Sequence, residues 1–230
     1  MFSFTPEEID AIRLSLWVAS IGIAASLPFG LLIAYVLARK RFPGKLLLDG
    51  LVHMPLVLPP VVTGYILLVL FGRKGPIGAF LEQTFGLVFS FRWTGAALAA
   101  AVMGFPLMVR AIRLSLESTD RRLEDASRML GANGLTTFFF VTLPLALPGI
   151  IAGLVLAFAK ALGEFGATIT FVSNIPGETR TLPTAIYTFT QVPGGDAGAF
   201  RLAAVAVVIA LVALVLSELL ARRTAARIDG

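Results

Sequence analysis

Long apolar runs alternate with short charged connections along this chain. Stretches 14–38, 54–72, 93–109, 143–159 and 202–217 each hold 16 to 25 consecutive residues without a charge. A helix needs about 20 mostly apolar residues to cross the hydrocarbon of a bilayer, so the pattern predicts five spans. Two further uncharged stretches, 165–177 and 181–195, are shorter and interrupted by Pro176, Pro183 and Pro193. They predict re-entrant or surface helices, not a sixth span. The polar connections are not alike. From Arg110 to Leu130, five arginines and four acidic residues interleave with Leu114, Leu116, Leu123, Ala126, Met129 and Leu130, the pattern of an amphipathic helix, until Gly131 breaks it. Such a segment suits either a helix lying on the headgroups or a docking site for a soluble partner.

Composition narrows the class. Of 230 residues, 57% are hydrophobic and 14% charged, with a mean hydropathy of +0.88, whereas soluble domains carry about 25% charged residues. The chain has no cysteine and one histidine, which removes disulfide scaffolds, thiolate chemistry and zinc sites built on several histidines. In a chain this apolar, the net charge of +5 sets orientation and does not indicate nucleic acid. Arg39, Lys40, Arg41 and Lys45 fill the first connection. Arg110, Arg113, Arg121, Arg122 and Arg128 fill the third, and Arg222, Arg223 and Arg227 the tail. Five spans place all three clusters on one side, and short cytoplasmic loops retain Lys and Arg. The expectation is an N-terminus outside and a C-terminus in the cytoplasm.

The second span contains Pro55, Pro59 and Pro60. Each proline removes a backbone donor and bends a helix, which fits a kinked bundle helix or one lining a transport path. Lys160 and Glu164, four residues apart at the end of the fourth span, fit an internal ion pair, a docking contact or a direct role on a path. Thr168, Thr170, Ser173 and Asn174 follow and supply hydroxyl and amide donors. They are either an external polar loop or weak, multiple sites of the kind that let an anion enter and still leave. No phosphate-binding Gly-x4-Gly-Lys-[Ser/Thr] loop occurs, so ATP hydrolysis by that route would need another polypeptide. A hydrolase reading fails because His53 has no plausible companions and no Gly-x-Ser-x-Gly turn exists.

The third connection reads Asp125-Ala126-Ser127, three residues, Gly131, nine residues, Val141-Thr142-Leu143-Pro144. This spacing resembles the Glu-Ala-Ala…Gly…Ile-x-Leu-Pro motif of permease subunits of bacterial ABC importers, with Asp, Ser and Val as substitutions. The runs from Arg41 to Lys45, His53 to Pro60, Phe105 to Arg113 and Gly163 to Thr181 are similar to the molybdate branch of that family. The resemblance implies an all-α, type I ABC importer permease fold: one transmembrane domain over 1–230, five spans, and a cytoplasmic coupling loop at about 110–143. It implies that Asp125, Ala126, Ser127, Gly131, Leu143 and Pro144 belong to the ATPase-coupling loop. A path between two copies would involve Pro59, Pro60, Thr168, Thr170, Ser173 and Asn174. The implied partners are a second copy, two ATPase subunits that hold ATP and Mg, a periplasmic or surface-tethered molybdate-binding protein, and membrane lipid. No cofactor on this chain is implied. Sulfate, thiosulfate or tungstate are the alternative anions, and an ATP-independent secondary carrier is the alternative class.

Overall fold

The computed structural model describes residues 4–228, and every regular element among them is helical. The side chains of Arg222, Arg223 and Arg227 lie outside the described set. The first helix, α1 (Pro6–Arg39), opens on a reciprocal cap. The Thr5 hydroxyl accepts from the Glu8 N–H at 3.3 Å, and the Glu8 carboxylate accepts from the Thr5 N–H at 2.8 Å. There follow α2 (Lys45–Val57), α3 (Pro60–Phe71), α4 (Pro76–Phe85), α5 (Trp93–Ser118), α6 (Arg121–Met129) and α7 (Gly134–Thr137). A π-helical turn (Phe138–Thr142) then leads into α8 (Leu143–Leu162), α9 (Gly166–Val172), α10 (Leu182–Thr190) and α11 (Asp196–Ile228).

Among the described residues, four helical stretches are long and apolar enough to cross a membrane, and α2 with α3, bent by 114°, makes a fifth if the pair is one broken span. The expected second span is therefore a broken element. Leu58, which precedes Pro59, is extended at φ −70° and ψ 144°, as the proline ring requires of its neighbour, and Pro60 then starts a new helix. The third span differs in the opposite sense. Arg110 ends the apolar run, yet the helix continues to Ser118, because charged side chains with straight stems are good helix formers. The amphipathic segment thus divides into a helical extension of α5 and a separate α6, begun by the Asp120 carboxylate accepting from the Arg122 N–H at 2.9 Å.

Small residues let α1, α5 and α8 pack backbone to backbone. A Cβ on Gly22 would lie 2.4 Å from the Ala97 carbonyl oxygen, and one on Gly104 would lie 2.9 Å from that of Ala157. Lipid tails are as apolar as these side chains, so close van der Waals approach is what holds such helices together. Trp17 and Trp93 meet at 6.1 Å between ring centroids at one end of the bundle. At the other end, Arg39 donates to the Thr119 carbonyl at 3.4 Å.

Candidate coupling surface and anion path

At the Thr119 end, α6 is capped by a left-handed glycine. Gly131 has φ +89°. Its N–H bonds the Arg128 carbonyl at 3.0 Å, and the next N–H, from Ala132, bonds the Ser127 carbonyl at 3.1 Å. This pairing closes helices whose chain must turn away sharply, and glycine takes the left-handed position without a Cβ penalty. Asp125, Ala126 and Gly131 are exposed, and so are Leu123, Met129 (87%) and Leu130 (90%). Ser127 is half-buried, with its Oγ 3.3 Å from Thr137 Oγ1. Leu143 and Pro144 are half-buried at the start of α8. The sequence motif is thus split between an exposed helix face and the base of a span.

α9 continues where α8 stops. A Cβ on Gly166 would meet Pro60, one on Gly64 would meet Ala167 and Thr170, and one on Gly95 would meet Val172. α9 therefore runs alongside α3, from the break in the second span toward the Trp93 end. Gly104 faces Ala157 and lies eleven positions along α5 from Trp93. By the helical rise, Lys160 then lies roughly 12 Å inward of Trp93. Lys160 lies in the last turn of α8, and Glu164 follows just beyond the end of that helix. Lys160 Nζ meets Glu164 Oε2 at 2.7 Å, while Glu164 Oε1 accepts from the Ala167 N–H at 3.0 Å. One buried carboxylate neutralises a cation and ties off the start of α9.

The other residues proposed for a path diverge in setting. Thr168 is buried, and the Thr170 hydroxyl donates to the Gly166 carbonyl at 2.8 Å. Asn174 is used twice, donating to Thr188 Oγ1 at 2.7 Å and accepting from Arg180 Nε at 3.1 Å. Ser173 is exposed at φ +66°, and Pro59 and Pro60 are exposed at the break. Three of the four polar residues are therefore enclosed or partnered within the chain, which leaves Ser173, Pro59 and Pro60 on the surface. The Thr63 hydroxyl, buried on α3, has no hydrogen-bond partner among the described residues.

Sequence reasoning missed the long-range ion pairs, among them three that tie the ends of the chain and α6 to distant helices. Glu124 pairs with Arg39 at 2.9 Å, Glu8 with Arg201 at 2.7 Å, and Arg180 with Glu7 at 3.5 Å. Each joins residues far apart in the chain, so no local spacing announces it. His53 Nδ1 lies 3.3 Å from Asp49 Oδ1, and no group of three acidic or histidine side chains among the described residues is placed to hold a metal. An apolar groove of about 610 Å³ lies between α1, α2 and α5, bounded by Ile21, Phe29, Leu51, Ala97 and Phe105, and the Ser26 and Thr94 hydroxyls on its lining donate to the Ile23 and Val88 carbonyls.

Residues 26–226 match the family of binding-protein-dependent transport system inner membrane components, and the chain belongs to that family. It is similar to the molybdenum transport system permease protein ModB of Escherichia coli (strain K12), at 61% identity over 218 residues and 95% of both chains. It is 39% identical over 227 residues to the sulfate transport system permease protein CysW of Synechococcus elongatus, covering 94% of this chain and 74% of that one. A solved bacterial ABC transporter that imports the acidic polysaccharide alginate has the same fold, with a TM-score of 0.70 over 96% of this chain and 80% of that one at 17% identity.

Proposed function

We propose that this chain is the permease subunit of an ATP-driven importer that carries molybdate across the cytoplasmic membrane. The observation that carries the reading is the 61% identity, spanning 95% of both chains, to a molybdenum transport permease. The 39% identity to a sulfate permease supports sulfate or thiosulfate as the second reading. Tungstate, with the shape and charge of molybdate, would be carried by the same path. Two copies would enclose the path, two ATPase subunits would hold ATP and Mg, and a periplasmic or surface-tethered binding protein would deliver the anion. No cofactor is assigned to this chain.

The exposed face of α6, with Asp125, Ala126 and Met129, and the turn after it, with Leu130 and Gly131, support docking of an ATPase subunit at the Thr119 end. Ser127, Leu143 and Pro144 would form its base. On this reading the break between α2 and α3 and the exposed Ser173 would face the path. Lys160, neutralised by Glu164, would not trap a dianion there. Co-purification of the ATPase subunit with tagged permease tests the class, because a secondary carrier needs no such partner.

The three basic clusters support a cytoplasmic Thr119 end. The cysteine-free chain allows a direct check. A cysteine introduced by Arg223→Cys is expected to resist impermeant thiol reagents in intact cells and to react after permeabilisation. Labelling in intact cells would reverse the orientation.

A further inference from the structure

We propose that the buried pair Arg39–Glu124, with Thr142, is the joint that passes displacement of α6 to α1 and α8. Glu124 is then a positioning residue for coupling and stands apart from the docking face. The inference rests on the reading of α6 as the helix that meets the ATPase.

Among the residues of α6, Glu124 alone is buried. Leu123, Met129 and Leu130 point away from the bundle, so apolar packing does not hold this helix in place. Polar bonds do. Glu124 Oε1 accepts from Arg39 Nη2 at 2.9 Å and from Thr142 Oγ1 at 3.2 Å, and Arg121 Nη2 donates to the Ala38 carbonyl at 3.2 Å. These bonds end on the last turn of α1 and on the π-helical turn that starts α8. Such turns concentrate at functional positions. Arg39 Nη2 also reaches the Thr119 carbonyl at 3.4 Å, at the break between α5 and α6.

The side chains of Arg39 and Glu124 are 5% and 7% exposed. A buried ion pair contributes little net stability compared with apolar groups of the same volume, whereas removing one partner alone is strongly destabilising. Stability is therefore a poor reason for a carboxylate at the one buried position of α6. An ion pair does supply a link that resists separation and tolerates rotation. The pair uses one guanidinium nitrogen, and Arg39 Nε is buried without a partner among the described residues. Rotation of α6 can bring the carboxylate onto Nε as well, exchanging a one-point for a two-point contact while the charges stay paired. Two discrete arrangements of one contact are what transmission between sites requires.

The test uses the permease reconstituted with its ATPase subunit and binding protein in proteoliposomes, with ATP hydrolysis and molybdate uptake read in the same sample. Glu124→Gln is expected to assemble and to hydrolyse ATP at the wild-type basal rate. Its ratio of anion carried to ATP consumed should fall at least about fivefold, the low end of coupling between sites. The double variant Arg39→Met/Glu124→Met removes the unpaired charge. It is expected to regain thermal stability while staying uncoupled, which a purely structural pair would not do. A wild-type ratio in either assembled variant would overturn the joint, and if Glu124→Gln fails to fold, the double variant decides alone. Failure of the wild-type chain to assemble with the ATPase would instead remove the functional reading beneath it.

Discussion

Glu164→Ala is expected to reduce the amount of folded permease sharply. The substitution leaves the Lys160 ammonium, at the end of α8, without its partner and the Ala167 N–H, at the start of α9, without its acceptor. Removing one member of a buried pair costs about 3–5 kcal/mol, and Lys160 is 30% exposed, so the lower end applies. Glu164→Gln keeps an acceptor for Ala167 and should be milder. Lys160→Met/Glu164→Gln removes the unpaired cation and is expected to restore both accumulation and transport, because the pair is saturated within the chain. Thermal unfolding in detergent and uptake in cells read the two effects. Accumulation restored without transport would place Lys160 on the path.

Gly131→Trp should separate ATP hydrolysis from uptake, or prevent assembly, with the permease still inserted. A Cβ at Gly131 meets nothing within 4 Å, so the ring projects into open space where the ATPase is proposed to sit. The φ of +89° adds strain of about 1–2 kcal/mol for any L-residue. Gly131→Ala carries the same strain without the bulk and is the control. It is expected to keep most activity. Wild-type hydrolysis and uptake in the tryptophan variant would exclude this turn from the interface.

Hydropathy made most of the architecture legible, because a spanning helix must be long, apolar and uncharged. Breaks and tilts were less so. The prolines at 55, 59 and 60 announce a bend, but the 114° turn depends on how α3 packs against α9. The end of an apolar run at Arg110 marked a change of environment, not of backbone conformation. The motif at 125–144 was visible from its spacing alone. Its anchor was not, since Glu124 and Asp125 are adjacent acids. Only the rotation of α6, set by contacts with Ala38 and Arg39 at the far end of α1 and with Thr142, decides that Glu124 turns inward and Asp125 outward. Thr168 shows the converse limit. A hydroxyl after a span reads as a donor for an anion, yet the fold encloses it.

Uptake of labelled molybdate by the reconstituted permease, ATPase and binding protein, with unlabelled oxyanions as competitors, tests the central claim most directly. The expected result is ATP-dependent accumulation that tungstate suppresses and a large excess of sulfate does not. Accumulation without ATP, or competition by sulfate as effective as that by molybdate itself, would contradict it.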